Sequence, residues 1–118
     1  MLEDRFCSFR ETDVETRTSP PPVWTVLSGQ PQAQSKRSYS DEEKKIYAGT
    51  FKCTAGVYAI NYDVWEFCHL IKGKCLITHE SGRQYELNAG DAFVLEPGFK
   101  GTWAIVEDME KSFVMHAG

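Results

Sequence analysis

From Ile46 to the C-terminus, short apolar runs alternate with turn residues at near-regular spacing, and few folds accommodate that pattern. The runs are residues 47–53, 57–62, 66–71, 75–79, 83–87, 92–95, 102–106 and 112–116. Between them stand Thr54-Ala55-Gly56, Lys72-Gly73-Lys74, Glu80-Ser81-Gly82, Asn88-Ala89-Gly90-Asp91, Pro97-Gly98 and Glu107-Asp108. Strands this short, bounded by glycine, proline and small polar residues, predict an antiparallel all-β sandwich or barrel. No long helical period competes with it.

Upstream of this region the texture is different. Residues 23–27 (Val-Trp-Thr-Val-Leu) read as a short strand, while residues 28–45 are polar enough to read as a solvated loop. Ser40-Asp41-Glu42-Glu43 resembles a helix start, but too few apolar residues follow to build a face. Residues 1–22 end in Ser19-Pro20-Pro21-Pro22, which predicts an extended N-terminal arm. The expected organisation is that arm, then one domain over 23–118 with its core barrel at about 46–118. Trp24 needs an apolar surface to cover, and an isolated short strand is unstable, so a homodimer is expected.

Thirteen basic against seventeen acidic residues give a net charge of −4 and no basic face, which argues against nucleic acid. No apolar run approaches a membrane span. Glu3, Asp4 and Arg5 precede any apolar stretch, unlike a signal peptide. Four cysteines without CxxC spacing point to thiols in a reducing cytoplasm. A disulfide between Cys68 and Cys75, facing each other across a Lys72-Gly73 turn, is the alternative.

Two segments resemble the paired motifs of a cupin, the double-stranded β-helix or RmlC-like jelly roll. The first is Trp65-Glu66-Phe67-Cys68-His69 with Gly73; the second is Gly90-Asp91-Ala92-Phe93 with Pro97-Gly98-Phe99-Lys100-Gly101-Thr102-Trp103. In a metal-bearing cupin the first motif carries His-x-His ahead of the glutamate, and the second ends near a histidine. Those histidine positions here hold Ile60, Tyr62 and Gly101, so the resemblance implies the fold with most metal ligands missing. Residues 57–116 look like the small single-domain cupins related to (S)-ureidoglycine aminohydrolase. In that hydrolase the manganese ligands would fall on Ile60, Tyr62, Glu66 and Gly101, which argues against the same metal-dependent hydrolysis.

The resemblance places Glu66 inside the barrel. Strand alternation then puts Cys68 and Leu70 on the same face, with Tyr58, Ile60 and Tyr62 inward from the preceding strand. Trp103 and Ile105 follow Gly101 on its face. The expected ligand pocket is therefore Tyr58, Ile60, Tyr62, Glu66, Cys68 and Trp103, aromatic and apolar with few polar groups. A carboxyl on an apolar strand costs several kcal/mol if charged and unpaired, so Glu66 is the candidate acid/base residue. His69 faces outward, His79 adjoins a turn and His116 lies near the end, so no metal set converges.

The leading expectation is a metal-free cytoplasmic cupin that binds a small polar organic ligand and has no cofactor. The alternative is an isomerase, lyase or aminohydrolase-like enzyme that uses Glu66, either as acid/base or as a ligand of an unusual Mn, Fe, Ni or Zn site. A third expectation is an interaction module whose barrel is filled by its own side chains.

Overall fold

The computed structural model describes residues 3–10 and 14–118. These form a single short 3-10 turn, Glu3–Arg5, and nine strands. The strands are β1 (Thr16–Arg17), β2 (Trp24–Ser28), β3 (Ala33–Asp41), β4 (Ile46–Cys53), β5 (Gly56–Asn61), β6 (Trp65–His79), β7 (Gln84–Asn88), β8 (Ala92–Leu95) and β9 (Lys100–His116). Every pairing is antiparallel. No described helix is long and apolar enough to cross a membrane.

Two long strands build the barrel. The first part of β6 pairs with β8, and its later part, from Lys74 on, pairs with β7. Likewise β9 pairs with β5 through residues 100–105 and with β4 through 109–116. One layer thus runs β1-β3-β4-β9-β6-β8 and the other β2-β5-β9-β6-β7. The core lies between these layers, and the expected jelly-roll double-stranded β-helix is the observed fold. Such a wrap lets apolar side chains of both layers bury one another while outward ones stay polar.

Two expected turns are not turns. Lys72-Gly73-Lys74 and Glu107-Asp108 lie inside β6 and β9, where the register shifts between Leu70 and Cys75. Gly73 takes φ +97, and a Cβ there would strike the Asp108 carbonyl and stand 2.8 Å from Met109 Cα. Such a bulge bends a strand without ending it. It also changes which parity faces inward on β6. Glu66, Cys68 and Leu70 are buried before the bulge, Cys75 and Ile77 after it.

The bulge disposes of the disulfide alternative. Cys68 and Cys75 lie on one strand rather than across a hairpin, and both are buried thiols. The solvated loop expected over 28–45 is mostly β3, paired along its length with β4. Its alternating polar residues are the exposed face of an outer strand, so polarity there marked a surface and not a loop. The Ser40–Glu43 segment becomes the paired end of β3 and the start of the hairpin corner after it, where the Lys44 N–H donates to Asp41 Oδ1 at 3.0 Å.

The arm is partly docked. β1 adds to the edge of β3, pairing Thr16 with Lys36; residues 1–2 and 11–13 lie outside the described residues. Trp24 is 4% exposed, covered by Phe51, Tyr58 and Trp103 of its own chain. Its burial is therefore no argument for a second copy.

Candidate functional site

Each expected site residue faces the interior. Tyr58 and Ile60 come from β5, Trp103 from β9, and Glu66 and Cys68 from the first part of β6. Tyr62 stands just past β5. Its backbone N–H donates to Phe99 O at 2.9 Å, and its carbonyl accepts from Gly98 N–H at 2.7 Å. The Pro97-Gly98 turn thereby fixes the tyrosine against the barrel. All six are at most 4% exposed.

Sequence reasoning missed the residue that completes the group. Lys111 enters from β9 and is 2% exposed. Its ammonium donates to Glu66 Oε2 at 3.0 Å and to Cys68 Sγ at 3.5 Å. The other carboxylate oxygen, Oε1, accepts from the Tyr62 hydroxyl at 2.6 Å, and that hydroxyl accepts from Trp24 Nε1 at 3.0 Å. Trp103, Trp24 and Phe51 present rings to the ammonium at 4.6, 5.3 and 5.3 Å from their centroids. Those separations are within cation–π range.

The electrostatics follow from burial and pairing. Burial alone pulls the Lys111 pKa down, but the Glu66 carboxylate and the hydrogen bonds to Glu66 and Cys68 outweigh it and the net shift is upward. Burial pushes the Cys68 thiol up to about 12, which makes it a neutral partner and not a thiolate nucleophile. Tyr62 is held well above its usual 10.0, by burial first and then by the Glu66 charge. The result is a closed chain of donors and acceptors from Trp24 to Lys111, with the buried charge on Glu66 compensated.

This donor set does not fit a divalent ion. Both Glu66 oxygens are engaged. At the second-motif position Gly101 runs so close to β6 that even a Cβ would strike the Thr78 carbonyl, leaving no room for a ligating side chain. Among the described residues, no three His, Cys, Asp or Glu side chains gather as a metal site. His69 and His116 are exposed, and His79 bonds to Ser81.

Open space lies beside this group. β7 and β8 each pair with β6 and not with one another, so the two layers part along their edges. A cleft of about 500 Å3 opens there, walled by Ile77, Tyr85, Leu87, Phe93, Leu95 and Phe99. Besides the Tyr85 hydroxyl, its ionisable members are His79 and Glu96. The His79 Nδ1 accepts from the Ser81 backbone N–H at 3.0 Å, which makes Nε2 the protonated nitrogen of the neutral ring. Phe93 links cleft to core, its ring 5.6 Å from Trp103. A smaller cleft of about 300 Å3 is bordered by Ile60, Lys100 and Thr102. The other five expected pocket residues line neither cleft, because Lys111 and the aromatic rings pack against them.

Known structures share this architecture. A protein of unknown function from Pseudomonas syringae pv. tomato str. DC3000 superposes with a TM-score of 0.76 at 20% identity, covering 90% of this chain and 45% of that one. The Clostridium difficile EutQ protein gives 0.66 at 16%, covering 75% and 64%. Ectoine synthase from P. lautus gives 0.65 at 17%, covering 85% and 68%. The chain therefore spans about half to two-thirds of these proteins' own lengths, and at such identities the likeness concerns the fold. A search among curated proteins finds no match. The model of the EutQ-like cupin domain matches residues 40–113, more than half the chain and both motif segments. With Glu66 and Lys111 inside that match, this chain belongs to the EutQ-like cupin domain family.

Proposed function

We propose that this protein is a small-molecule-binding cupin that works without a resident metal and takes its ligand in the cleft between β7 and β8. The observation that carries this reading is the cleft itself. Its volume and largely apolar, aromatic lining are those of a ligand site with a few orienting polar groups. The ligand is a small polar organic molecule with an apolar face; the face lies on Phe93 and Leu87, and an acceptor group meets His79 Nε2. Glu66 and Tyr62 form the floor behind Phe93 and Trp103 and do not reach the ligand directly.

Kinship with ureidoglycine aminohydrolases is confined, in this reading, to the shared motif frame. Hydrolysis is not proposed, because Ile60, Tyr62 and Gly101 offer nothing to hold manganese. Buried thiols at Cys53, Cys68 and Cys75 favour a cytoplasmic location. Pairing of two copies is supported by an outer apolar row across three strands, Val94 and Val114 flanking Phe67.

Calorimetric titration of carboxylates, sugars and ureides is expected to yield a saturable ligand. Leu87→Arg, which puts a long cation into the cleft, should weaken it at least about tenfold, or 1.4 kcal/mol. Val106→Arg, at an exposed position outside the cleft lining, should leave it unchanged. No saturable ligand, or one indifferent to Leu87→Arg, counts against the cleft. Sedimentation at micromolar concentration should give a dimer; a monomer removes that part.

A further inference from the structure

We infer that the Lys111 ammonium is the resident cation of this barrel, so that the interior is an ammonium cage closed on the protein's own side chain. The disagreement between motif and residues leads to it. The family's pattern assigns the Glu66 carboxylate to an ion, and here that carboxylate holds Lys111 Nζ at 3.0 Å. The other positions of that pattern offer an ion nothing here either. Tyr62 spends its hydroxyl on Glu66, Ile60 has no donor atom, and Gly101 has no room for a side chain.

The walls suit an ammonium and not a metal. A divalent ion needs several N, O or S ligands, whereas an alkylammonium is satisfied by one carboxylate and aromatic faces. Trp103, Trp24 and Phe51 supply those faces from three different strands, β9, β2 and β4. The Cys68 sulfur takes a further donor contact at 3.5 Å. Lys111 reaches this point because its neighbours across the sheet are Phe51 and Leu70, both buried, which guide the four-carbon stem through apolar surroundings. The site's ligand class is therefore a primary alkylammonium, supplied in cis.

Chemical rescue tests the assignment. Lys111→Ala removes three methylenes and the ammonium, the shape of propylammonium. Propylammonium chloride is expected to raise the variant's thermal midpoint saturably, with roughly a tenfold gain in folding equilibrium constant at ten times its dissociation constant. Neither propanol nor sodium chloride at equal strength should do so, and the wild-type protein should not respond. A midpoint that ignores propylammonium, or that rises as much in the wild type, overturns the cage. So does a stoichiometric divalent ion retained by wild-type protein and lost in Glu66→Gln, read by plasma mass spectrometry.

If Lys111→Ala does not fold, the volume-matched Lys111→Met decides. Adding Glu66→Gln to it should raise the thermal midpoint, because the carboxylate no longer lacks its cation. A double variant no more stable than Lys111→Met overturns the inference.

Discussion

Lys111→Met is expected to lower the unfolding free energy by about 3–5 kcal/mol, the loss typical when one partner of a buried ion pair is removed. Methionine keeps most of the stem's volume, so the loss measures charge and not packing. Glu66 is 4% exposed and would keep only the Tyr62 hydrogen bond. For a chain this long, a loss of that size moves the thermal midpoint by roughly 10 °C or more. Two surface pairs give the contrast. Lys52 and Glu110 stand 3.4 Å apart, Lys74 and Glu86 3.2 Å apart, and all four side chains are substantially exposed. Lys52→Met and Lys74→Met should each cost less than about 1 kcal/mol, since water and salt already screen such pairs. Urea titrations of the three variants measure the difference directly. A Lys111→Met loss no larger than the surface pair losses would mean that the interior is wet.

Alkaline pH should unfold this protein from about pH 9 upward. Cys68, Tyr58 and Tyr62 are neutral acids whose folded-state pKa values are raised, in each case chiefly by burial. The folded protein therefore keeps protons that the unfolded chain has already released. Their stabilisation is complete below the unfolded values of 9.0 for cysteine and 10.0 for tyrosine, and is lost as pH rises through the folded ones. Cys68, moved from 9.0 to about 12, contributes up to about 4 kcal/mol of this loss. Cys53 and Cys75 shift in the same direction for the same reason. Lys111 adds a later step with the same sign. Its ammonium stabilises the fold fully below 10.5, and that contribution disappears as pH climbs through its raised value. Urea midpoints taken from pH 7 to pH 11 should fall along this course, and Cys68→Ala should flatten the first part. A profile level to pH 11 would mean that the thiols are reached by solvent.

How far the site was legible depended on strand continuity. Tyr58, Ile60, Tyr62, Glu66 and Cys68 are buried as expected: the motif resemblance set the inward face of Glu66, and alternation within each of the two runs gave the rest. Trp103 followed from the same rule after Gly101. That rule also reaches Lys111, since residues 103, 105, 109, 111 and 113 are all buried on β9. Reading Glu107-Asp108 as a turn cut the strand and hid the lysine. Charged residues usually mark a turn or a surface, and here a bulge lets them pass within a strand. The same bias turned β3 into an expected loop, because an outer strand with one wet face is rich in Ser, Lys and Arg.

By itself the sequence determined the all-β class, the position of most strands and the inward face around Glu66. Those properties are local: side-chain alternation, β-branched runs and turn residues act over a few neighbours. Only the tertiary structure decided that Lys111 meets Glu66 across 45 positions of chain and that Trp24 closes over its own barrel. It also decided that the free space lies between β7 and β8 instead of around the carboxylate. Which side chains fill an enclosed volume depends on where two layers bend and how they stack, and a bulge at Gly73 sets that bend through a backbone contact with Asp108 that no local pattern encodes.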